Sequence, residues 1–379
     1  MKRVLLVATV QSHIAQFHNP LIEMLNSKNV QIDVAARNNL TEKNGLKIEN
    51  VNEIYDIPFS RSPISKINIK AYKKLEKLIL ENNYDIIHCN TPVGGLITRL
   101  VKKNNRNIKA KIIYTAHGFH FYKGCPLKNW LIYYPIERYF SKYTDALITI
   151  NDEDYLIAKN KMYAKITKKI NGVGIDIKNF KIDDIEGQNK IYQELKIREQ
   201  ETNFVSIGEL NKNKNQIMQI KAMNEIVKKY PNTHLFMLGN GPLKEEYLEK
   251  IKQMNLEKNI KLLGYRRDIK NILAVVDSLI STSKREGLAV NILEGLASGK
   301  IVIASDNRGN RPAIKNGKTG FLITNKEELI DSMENVINNK EELKNRMKKE
   351  IENTIKEYSI EVVKKQLEEI YMSEVIWDQ

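Results

Sequence analysis

The chain has 379 residues, a formal net charge of +15 and two cysteines. This length exceeds one typical domain, so the sequence predicts two. Two cysteines exclude a disulfide framework and a zinc-binding cysteine pattern, and no apolar run reaches the roughly 18 residues of a membrane span. No signal-peptide pattern follows Met1, so we expect a cytoplasmic protein.

The excess of positive charge lies in the first part of the chain. Residues 1–150 hold 22 Lys and Arg against 11 Asp and Glu, whereas residues 151–379 hold 39 against 35. A basic half of this kind suits nucleic acid, anionic lipid or a phosphorylated acceptor. No nucleic-acid-binding motif accompanies the charge, so we expect no nucleic-acid partner.

Aromatic and basic residues are concentrated in residues 119–143, and Lys and Arg mix with Ile and Leu in residues 61–78. This mixture is typical of a membrane–water interface. The alternative is a solvated helix face with core aromatic residues behind it. We favour the interface and predict peripheral contact with an anionic membrane surface, at the inner face of the cell membrane.

Strand-like and helix-like segments alternate along the first half. Short apolar runs predict strands at residues 3–9, 31–35, 86–89, 111–115 and 146–150. Amphipathic stretches between them include residues 17–25, 94–103 and 129–142. This alternation predicts a parallel sheet that is covered on both faces.

A second series of strands follows a polar stretch at residues 176–202. Its strands are predicted at residues 204–207, 234–238, 260–263, 279–282, 301–304 and 320–323. The boundary near residues 174–184 predicts domains of residues 1–174 and 175–356, and we expect the helical segment 357–379 to pack back on the first. The fold class is therefore α/β, with two Rossmann-like doubly wound domains that face each other across a cleft and bind a ligand at the carboxyl ends of their strands.

Polar residues follow two strands of the first domain. Ser12 and His13 follow the first strand, and His117 follows the run at residues 111–115. A lone histidine is more often structural than catalytic, but ligands bind where parallel strands end, so these three residues are candidates. Residues 152–154 match the D-x-D text of metal-dependent sugar transferases; we interpret them instead as a helix start, where acidic residues favour the macrodipole.

Two glycine-containing loops end strands of the second domain. Gly208 is followed by Lys212 and Lys214, and a lysine after a glycine turn can contact a phosphate. The loop after the next strand contains Gly239, Asn240 and Gly241. These glycines allow close backbone approach, but neither loop is a GxGxxG fingerprint, so no nicotinamide cofactor is predicted.

The most informative segment contains Glu286 and Glu294, which lie eight positions apart. An apolar run, a polar loop and an amphipathic stretch from about Leu288 to Gly299 predict strand, loop and helix. An anion would face the N–H groups at the start of this helix, which belong to Gly287, Leu288, Ala289, Val290 and Asn291.

At roughly 1.5 Å per residue, the two carboxylates span about 12 Å. This suits a nucleotide-diphosphate sugar, which has an anionic centre and hydroxyl-rich ends, because a carboxylate accepts hydroxyl hydrogen bonds well. The alternative is an ordinary βα unit with two surface glutamates.

Together these motifs resemble the family 4 glycosyltransferases, which have the GT-B fold, and in particular their bacterial capsule and exopolysaccharide branch. In the second domain the resemblance rests on Gly208 with Lys214, Gly264 with Asp268, and residues 239–242, 286–294, 297–305 and 316–321. In the first domain it rests on residues 7–9, 12–14, 115–118 and 134–137. The resemblance covers nearly the whole chain but does not identify the sugar.

The resemblance implies roles for the candidates. Glu286 and His117 would be catalytic, with Glu286 holding donor-sugar hydroxyls and His117 contacting that sugar from the first domain. Glu294 would hold the ribose, and the amides of residues 287–291 would hold the diphosphate together with Lys214. The remaining donor contacts would be Ser12, His13, Gly208, Lys212, Gly239, Asn240, Gly241 and, beside the base, Tyr265 and Arg266.

One position departs from the family pattern. Many members carry Arg directly after the glycine that matches Gly208, where it assists the diphosphate, but here the residue is Glu209. That Arg role is therefore not carried over to this chain, and Lys212 is the substitute that we consider.

The resemblance also implies a retaining glycosyltransferase that needs no metal or other cofactor. Lysine and helix amides would then stabilise the charge of the leaving group. The enzyme would move a hexose or N-acetylhexosamine from a UDP-linked donor to a saccharide acceptor carried on a polyprenyl lipid, in surface polysaccharide assembly. Domain closure on the donor would exclude water. The alternatives are a sugar-nucleotide epimerase, which needs no acceptor, and a non-catalytic sugar-nucleotide-binding subunit, for which only Glu209 argues.

Overall fold

The computed structural model describes residues 1–43, 45–181, 184–198 and 200–377. Contacts divide the chain into two compact units. Unit 1 comprises Met1–Gly174 and the segment that begins at Ile360, whereas unit 2 is Ile175–Ser359. Each unit contains its own parallel sheet.

Unit 1 alternates strands and helices. Its strands are β1 (Arg3–Val10), β2 (Gln31–Arg37), β3 (Glu53–Asp56), β4 (Ile86–Asn90), β5 (Lys111–Ala116), β6 (Ala146–Thr149) and β7 (Ile166–Lys169). The helices among them are α1 (Gln11–Phe17), α2 (Asn19–Asn26), α3 (Ile67–Asn82), α4 (Pro92–Asn104), α5 (Leu127–Phe140) and α6 (Asp152–Lys161).

The sheet of unit 1 has the order β3-β2-β1-β4-β5-β6-β7. β4 is buried along its whole length and β1 along all but its first residue, as expected for strands covered on both faces. The order reverses at β1, between β2 and β4. A crevice therefore opens at the carboxyl ends of these strands.

The strands predicted for the first half are confirmed within two residues, but the amphipathic stretch at residues 17–25 proves to be parts of two helices. α1 ends at Phe17, and α2 begins at Asn19 with Pro20 in its first turn. Proline lacks the N–H needed to continue a helix but fits the first turn of a new one. His18 is left at the junction.

Unit 2 repeats the arrangement. Its strands are β8 (Thr202–Ile207), β9 (Thr233–Leu238), β10 (Ile260–Gly264), β11 (Ser278–Ser281), β12 (Ile301–Ser305) and β13 (Gly320–Ile323). Its helices are α7 (Ile177–Lys181), α8 (Ile185–Leu195), α9 (Gln216–Lys229), α10 (Lys244–Gln253), α11 (Ile269–Val275), α12 (Val290–Ala297) and α13 (Lys326–Lys356). The sheet order is β10-β9-β8-β11-β12-β13, which reverses at β8.

The chain returns to unit 1 as helix α14 (Ile360–Tyr371). This helix is shorter than the predicted segment 357–379, because α13 runs on to Lys356 and α14 ends at Tyr371; residues 378 and 379 lie outside the described residues. α14 packs on α2, where Lys364 pairs with Glu23. Within the described ranges, no helix has both the length and the apolar character needed to cross a bilayer.

Candidate functional site

The candidate residues of unit 2 gather where the order of its sheet reverses. β8 lies between β9 and β11. The loop after β8 carries Gly208, Lys212 and Lys214, and the loop after β11 carries Glu286. Doubly wound sheets bind ligands at such reversal points, outside the carboxyl ends of the strands.

Lys214 and Glu286 form an ion pair between these two loops. Nζ of Lys214 donates to Oε1 of Glu286 at 2.7 Å, and the side chains are 23% and 16% exposed. The pair fixes the ammonium group beside the carboxyl ends of β8 and β11. Because a carboxylate has about four lone-pair sites, Glu286 can still accept hydrogen bonds from another group.

Asparagine side chains hold the two loops together. Oδ1 of Asn211 accepts from the N–H groups of Asn213 and Lys214 at 3.0 and 2.9 Å. Nδ2 of Asn213 donates to the carbonyl of Arg285 at 3.0 Å, and the Asn213 carbonyl accepts from Lys284 N–H at 2.8 Å. No role was predicted for these asparagines, although they belong to the N-K-N-K-N run at residues 211–215 that follows Gly208.

Helix α12 begins beside the ion pair. It starts at Val290 rather than Leu288, and its predicted end at Gly299 is confirmed, since that residue follows the helix with a φ of +67°. Nδ2 of Asn291 donates to the carbonyl of Ile207 at 2.8 Å, which ties the first turn to the end of β8. In the first turn, the Ile292 N–H already donates to Asn291 Oδ1 at 3.0 Å and to the Ala289 carbonyl at 3.1 Å. The N–H groups of Val290 and Asn291 lack intrahelical acceptors, so these two are available to an anion.

Glu294 lies just past the first turn of α12, as predicted. Its side chain is partly buried. Burial raises the pKa of this carboxyl to about 7. A ligand that hydrogen-bonds to the ionised form would therefore compete with a proton near neutral pH.

Two of the predicted glycines are required by the protein's own backbone. Gly239 has a φ of +133°, donates its N–H to the Gly264 carbonyl at 2.7 Å, and would place a Cβ 2.1 Å from the Gly208 carbonyl oxygen. A Cβ on Gly241 would lie 2.3 Å from the carbonyl oxygen of Leu210. Only glycine permits such close approach, so the loops after β8, β9 and β10 are packed on one another.

The remaining candidates of unit 2 differ in how firmly they are held. Arg266 makes four hydrogen bonds, two to Asp268 and two to Glu194, which raise the pKa of its guanidinium. One of its five N–H donors is left for a ligand. Lys212 and Glu209 are exposed. Tyr265 is partly buried. The carbonyl of Asn240 accepts a hydrogen bond from the Leu210 N–H, which joins the loops after β9 and β8.

In unit 1 the structure brings the two predicted histidines together. His13 follows β1 and His117 follows β5, and their Nε2 atoms lie 3.2 Å apart. Asn90, the last residue of β4, places Oδ1 3.1 Å from Nε2 of His117. Three strand ends thus contribute one polar group each, at the point where the sheet order reverses.

Two further histidines, His18 and His88, extend this group, and neither was predicted as a site residue. The ring of His18 lies 5.3 Å from that of His13 and 5.9 Å from that of His117, centroid to centroid. His88 is hydrogen-bonded through Nδ1 to the Tyr371 hydroxyl at 2.7 Å. The five-residue spacing of His13 and His18 was visible in the sequence, but nothing there indicated that the chain returns at α14.

These histidines are held in the neutral form. Burial lowers the pKa of His13 and His18 well below 6.5, and neighbouring histidines lower it further. Burial also lowers the pKa of His117 to about 4, and that of His88 to about 3 with a further contribution from His117. All four rings are therefore uncharged imidazoles at neutral pH.

Other polar residues of unit 1 serve its backbone. Oγ of Ser12 accepts from Asn39 Nδ2 at 2.9 Å, and its N–H donates to Asn39 Oδ1 at 3.0 Å, which joins α1 to the loop after β2. Asp154 accepts from Nδ2 of Asn151 at 2.8 Å and from the Phe119 N–H at 3.1 Å. Residues 152–154 are the first turn of α6, so their interpretation as a helix start is confirmed.

Known proteins match both halves of the chain. The family profile described as Glycosyl transferase 4-like matches residues 3–151, and the one described as Glycosyl transferases group 1 matches residues 187–354. The chain is 39% identical over 324 residues to the protein named as glycosyltransferase EpsD of Bacillus subtilis strain 168, covering 85% of this chain and 83% of that protein. It is 29% identical over 262 residues to the UDP-Gal:alpha-D-GlcNAc-diphosphoundecaprenol alpha-1,3-galactosyltransferase of Escherichia coli, covering 68% and 66%.

A solved structure shows the same fold. Anabaena Alr3699/HepE in complex with UDP-glucose is similar with a TM-score of 0.76 at 18% identity, covering 98% of this chain and 99% of that chain. The family follows from the identity to EpsD over most of both chains and from the two matching profiles. This chain belongs to the GT4-like glycosyltransferases and has the GT-B fold.

Proposed function

We propose that this protein transfers a hexose or N-acetylhexosamine from a UDP-sugar to a saccharide acceptor in the assembly of a surface polysaccharide. The observation that carries the proposal is the Lys214–Glu286 ion pair beside the start of α12, at the reversal point of the unit 2 sheet. The similarity to HepE, solved with UDP-glucose, and to a UDP-galactose-dependent transferase supports this choice of donor.

The proposed chemistry follows from the groups at this point. Cleavage of the bond between sugar and diphosphate leaves negative charge on the diphosphate, and Lys214 and the first-turn amides of α12 stabilise it. Glu286 accepts hydrogen bonds from sugar hydroxyls, while Glu294 accepts those of the ribose. No metal is needed in this scheme, and the family resemblance favours retention of the anomeric configuration.

We further propose that the acceptor is carried on a polyprenyl lipid and that unit 1 contacts an anionic membrane through α5. No residue of α5 is buried, and Leu127, Leu131 and Ile132 are 73%, 69% and 55% exposed. Two aromatic residues of this helix, Trp130 and Tyr134, face the protein, since they pack on Phe121. The outward face therefore combines aliphatic side chains with nearby lysines, a combination that suits an anionic bilayer.

A nucleotide-release assay tests the transfer. The purified protein is incubated with a panel of nucleotide sugars in EDTA, with and without a polyprenyl-linked acceptor extract. We expect UDP release that depends on the acceptor and is lost in His117→Ala and Glu286→Ala, while His117→Ala still binds UDP. UDP release with a changed sugar but no acceptor would support the epimerase instead, and full activity of Glu286→Ala in a complex would support the non-catalytic subunit.

Vesicle flotation tests the membrane contact. The protein is mixed with phosphatidylcholine vesicles that contain phosphatidylglycerol, at low and high salt. We expect binding that weakens with salt and falls in Leu131→Glu, whereas Leu156→Glu, which changes a leucine that is 56% exposed on α6, binds as the unmodified protein does. Equal flotation of the two variants would place the contact elsewhere.

A further inference from the structure

The three imidazoles of His13, His18 and His117 converge at the carboxyl edge of the unit 1 sheet. One ring nitrogen from each residue lies within 4.8 Å of the other two. The three rings come from separate places: the start of α1, the junction of α1 with α2, and the end of β5. Among the described residues this is the one group of three His, Cys, Asp or Glu side chains with such spacing.

We propose that His13, His18 and His117 form a binding site for a divalent transition metal ion of the Zn²⁺ class, and that the bound ion inhibits transfer. Imidazole nitrogen is a preferred ligand of zinc. The proposal that these residues bind a metal ion does not depend on the proposed function. The inhibitory half rests on the proposed function and on the roles that the family resemblance implies for His117, as a catalytic residue, and for His13, as a donor contact.

The distances fit three ligands of one tetrahedral ion. With Zn–N bonds of about 2.0–2.1 Å, two ligand nitrogens lie about 3.3 Å apart and the ring centroids roughly 5 Å apart. Nε2 of His13 and Nε2 of His117 are 3.2 Å apart. The three centroid separations are 4.6, 5.3 and 5.9 Å, so the His18 ring has to move toward that of His117 to complete the arrangement.

His18 supplies an independent indication of a ligand. The residue is 5% exposed, yet its Nε2 has no hydrogen-bond partner among the described residues. A buried polar nitrogen is nearly always satisfied by protein, water or an ion. A cavity of about 20 Å³, which is space for a single water or ion, is lined by His18 and His117 but not by His13.

A fourth ligand is within reach, and no proton need be lost. Oδ1 of Asn90 lies 3.1 Å from the same His117 nitrogen, and a water can serve equally at an open zinc position. A neutral imidazole carries one proton, which can reside on Nδ1 while Nε2 binds the ion. A bound ion would occupy the Nε2 atoms of His13 and His117. These atoms would then no longer be able to contact each other or a substrate.

Metal binding is tested with the untagged full-length protein at pH 7.5. Co²⁺ is titrated and followed by visible absorption, then displaced by Zn²⁺, for the unmodified protein, His18→Gln and the control His234→Gln, whose ring lies in unit 2 near Glu201. We expect one equivalent of Co²⁺ with the intense bands of a four-coordinate site, affinity at least about tenfold lower in His18→Gln, and no change in the control.

A second variant distinguishes the loss of a metal ligand from misfolding of the protein. His13→Gln changes a ring that is only partly buried, and it should lower affinity as His18→Gln does, with tryptophan fluorescence confirming that both are folded. A weak, six-coordinate Co²⁺ spectrum, or equal affinity in the folded variants, would overturn the metal site.

Inhibition is measured separately, as acceptor-dependent UDP release in EDTA and in graded free Zn²⁺. We expect Zn²⁺ to inhibit the unmodified protein. When each protein's rate is expressed relative to its own rate in EDTA, the Zn²⁺ concentration that inhibits His18→Gln should be at least about tenfold higher than the one that inhibits the unmodified protein. Tight binding without inhibition would overturn the inhibitory half alone. Absence of transfer from every donor would count against the proposed function, while the Co²⁺ spectra would still decide the metal site.

Discussion

Lys214 Nζ lies 2.7 Å from Glu286 Oε1, although 72 residues separate the two in the chain. One side chain follows β8 and the other follows β11, the two strands that meet where the sheet order reverses. The topology of the sheet therefore creates this pair, and the asparagines beside it fix its geometry. A charge placed in this way requires no rearrangement when a diphosphate arrives.

We predict that Lys214→Ala weakens UDP binding by about 10- to 150-fold, since a hydrogen bond to a charged group contributes about 1.5–3 kcal/mol. UMP, which lacks the second phosphate, should lose much less affinity. Isothermal titration calorimetry with both nucleotides measures the difference. Lys221→Ala, at an exposed position on α9, is the matched control. Equal losses for UMP and UDP would show that Lys214 does not contact the second phosphate.

Nucleotide affinity should depend on pH through Glu294. In the proposed function, ribose hydroxyls donate to the ionised carboxylate. Binding would then favour loss of a proton whose pKa burial has raised to about 7. Affinity for UDP should therefore rise from pH 6 to pH 8 and level off above it. In Glu294→Gln the dependence should flatten and affinity at pH 8 should fall. An unchanged pH profile in this variant would assign the titration to another group.

The Tyr371 hydroxyl should stabilise unit 1 through His88. In Tyr371→Phe the buried Nδ1 of His88 loses its partner, which should cost about 1–3 kcal/mol of the free energy of unfolding. Both tryptophans of the chain, Trp130 and Trp377, lie in unit 1, so urea unfolding followed by tryptophan fluorescence reports on that unit. Tyr139→Phe, at a side chain that is 43% exposed, should change it by less than about 0.5 kcal/mol.

Gly239→Ala should destabilise unit 2 and impair nucleotide binding. Its Cβ would press on the Gly208 carbonyl, and a φ of +133° disfavours any residue with a Cβ. Gly317→Ala separates the two effects, because Gly317 has a φ of +73° but open space around its Cβ position. We expect faster hydrogen exchange in β8 and β9 and weaker UDP binding only for Gly239→Ala. If the two variants behave alike, the positive φ accounts for the whole effect and the contact of the Cβ with the Gly208 carbonyl contributes nothing.

The interior strands and the end of α12 were predictable because apolar runs and a glycine after a helix are local signals, whereas α12 begins two residues later than predicted. β3 and β7 were missed since edge strands need no apolar run: β3 is mostly exposed, and β7 reads Ile-Thr-Lys-Lys. The sequence also identified Glu286 and Lys214 separately. Their contact follows from strand order, which is a tertiary property that no local pattern encodes.

The four histidines of unit 1, at positions 13, 18, 88 and 117, also show that local sequence patterns do not reveal tertiary contacts. His13 and His117 were candidates because each follows a strand, and parallel strand ends meet at one edge of a sheet. His18 and His88 gave no such signal, since one lies at a helix junction and the other within a strand. The partner of His88 is 283 residues away, and only the return of α14 brings it near.

That return has a consequence for synthesis on the ribosome. The residues of α14 are made after all of unit 2, yet α14 covers α2 and supplies the partner of His88. Unit 2 is therefore fully synthesised before unit 1 has its last helix. Until then, the nascent unit 1 exposes the surface of α2 that α14 covers, and exposed apolar surface of this kind is prone to aggregation. A fragment of residues 1–174 would lack α14 and would keep this surface of α2 exposed. A fragment of residues 175–359 would contain every element of unit 2.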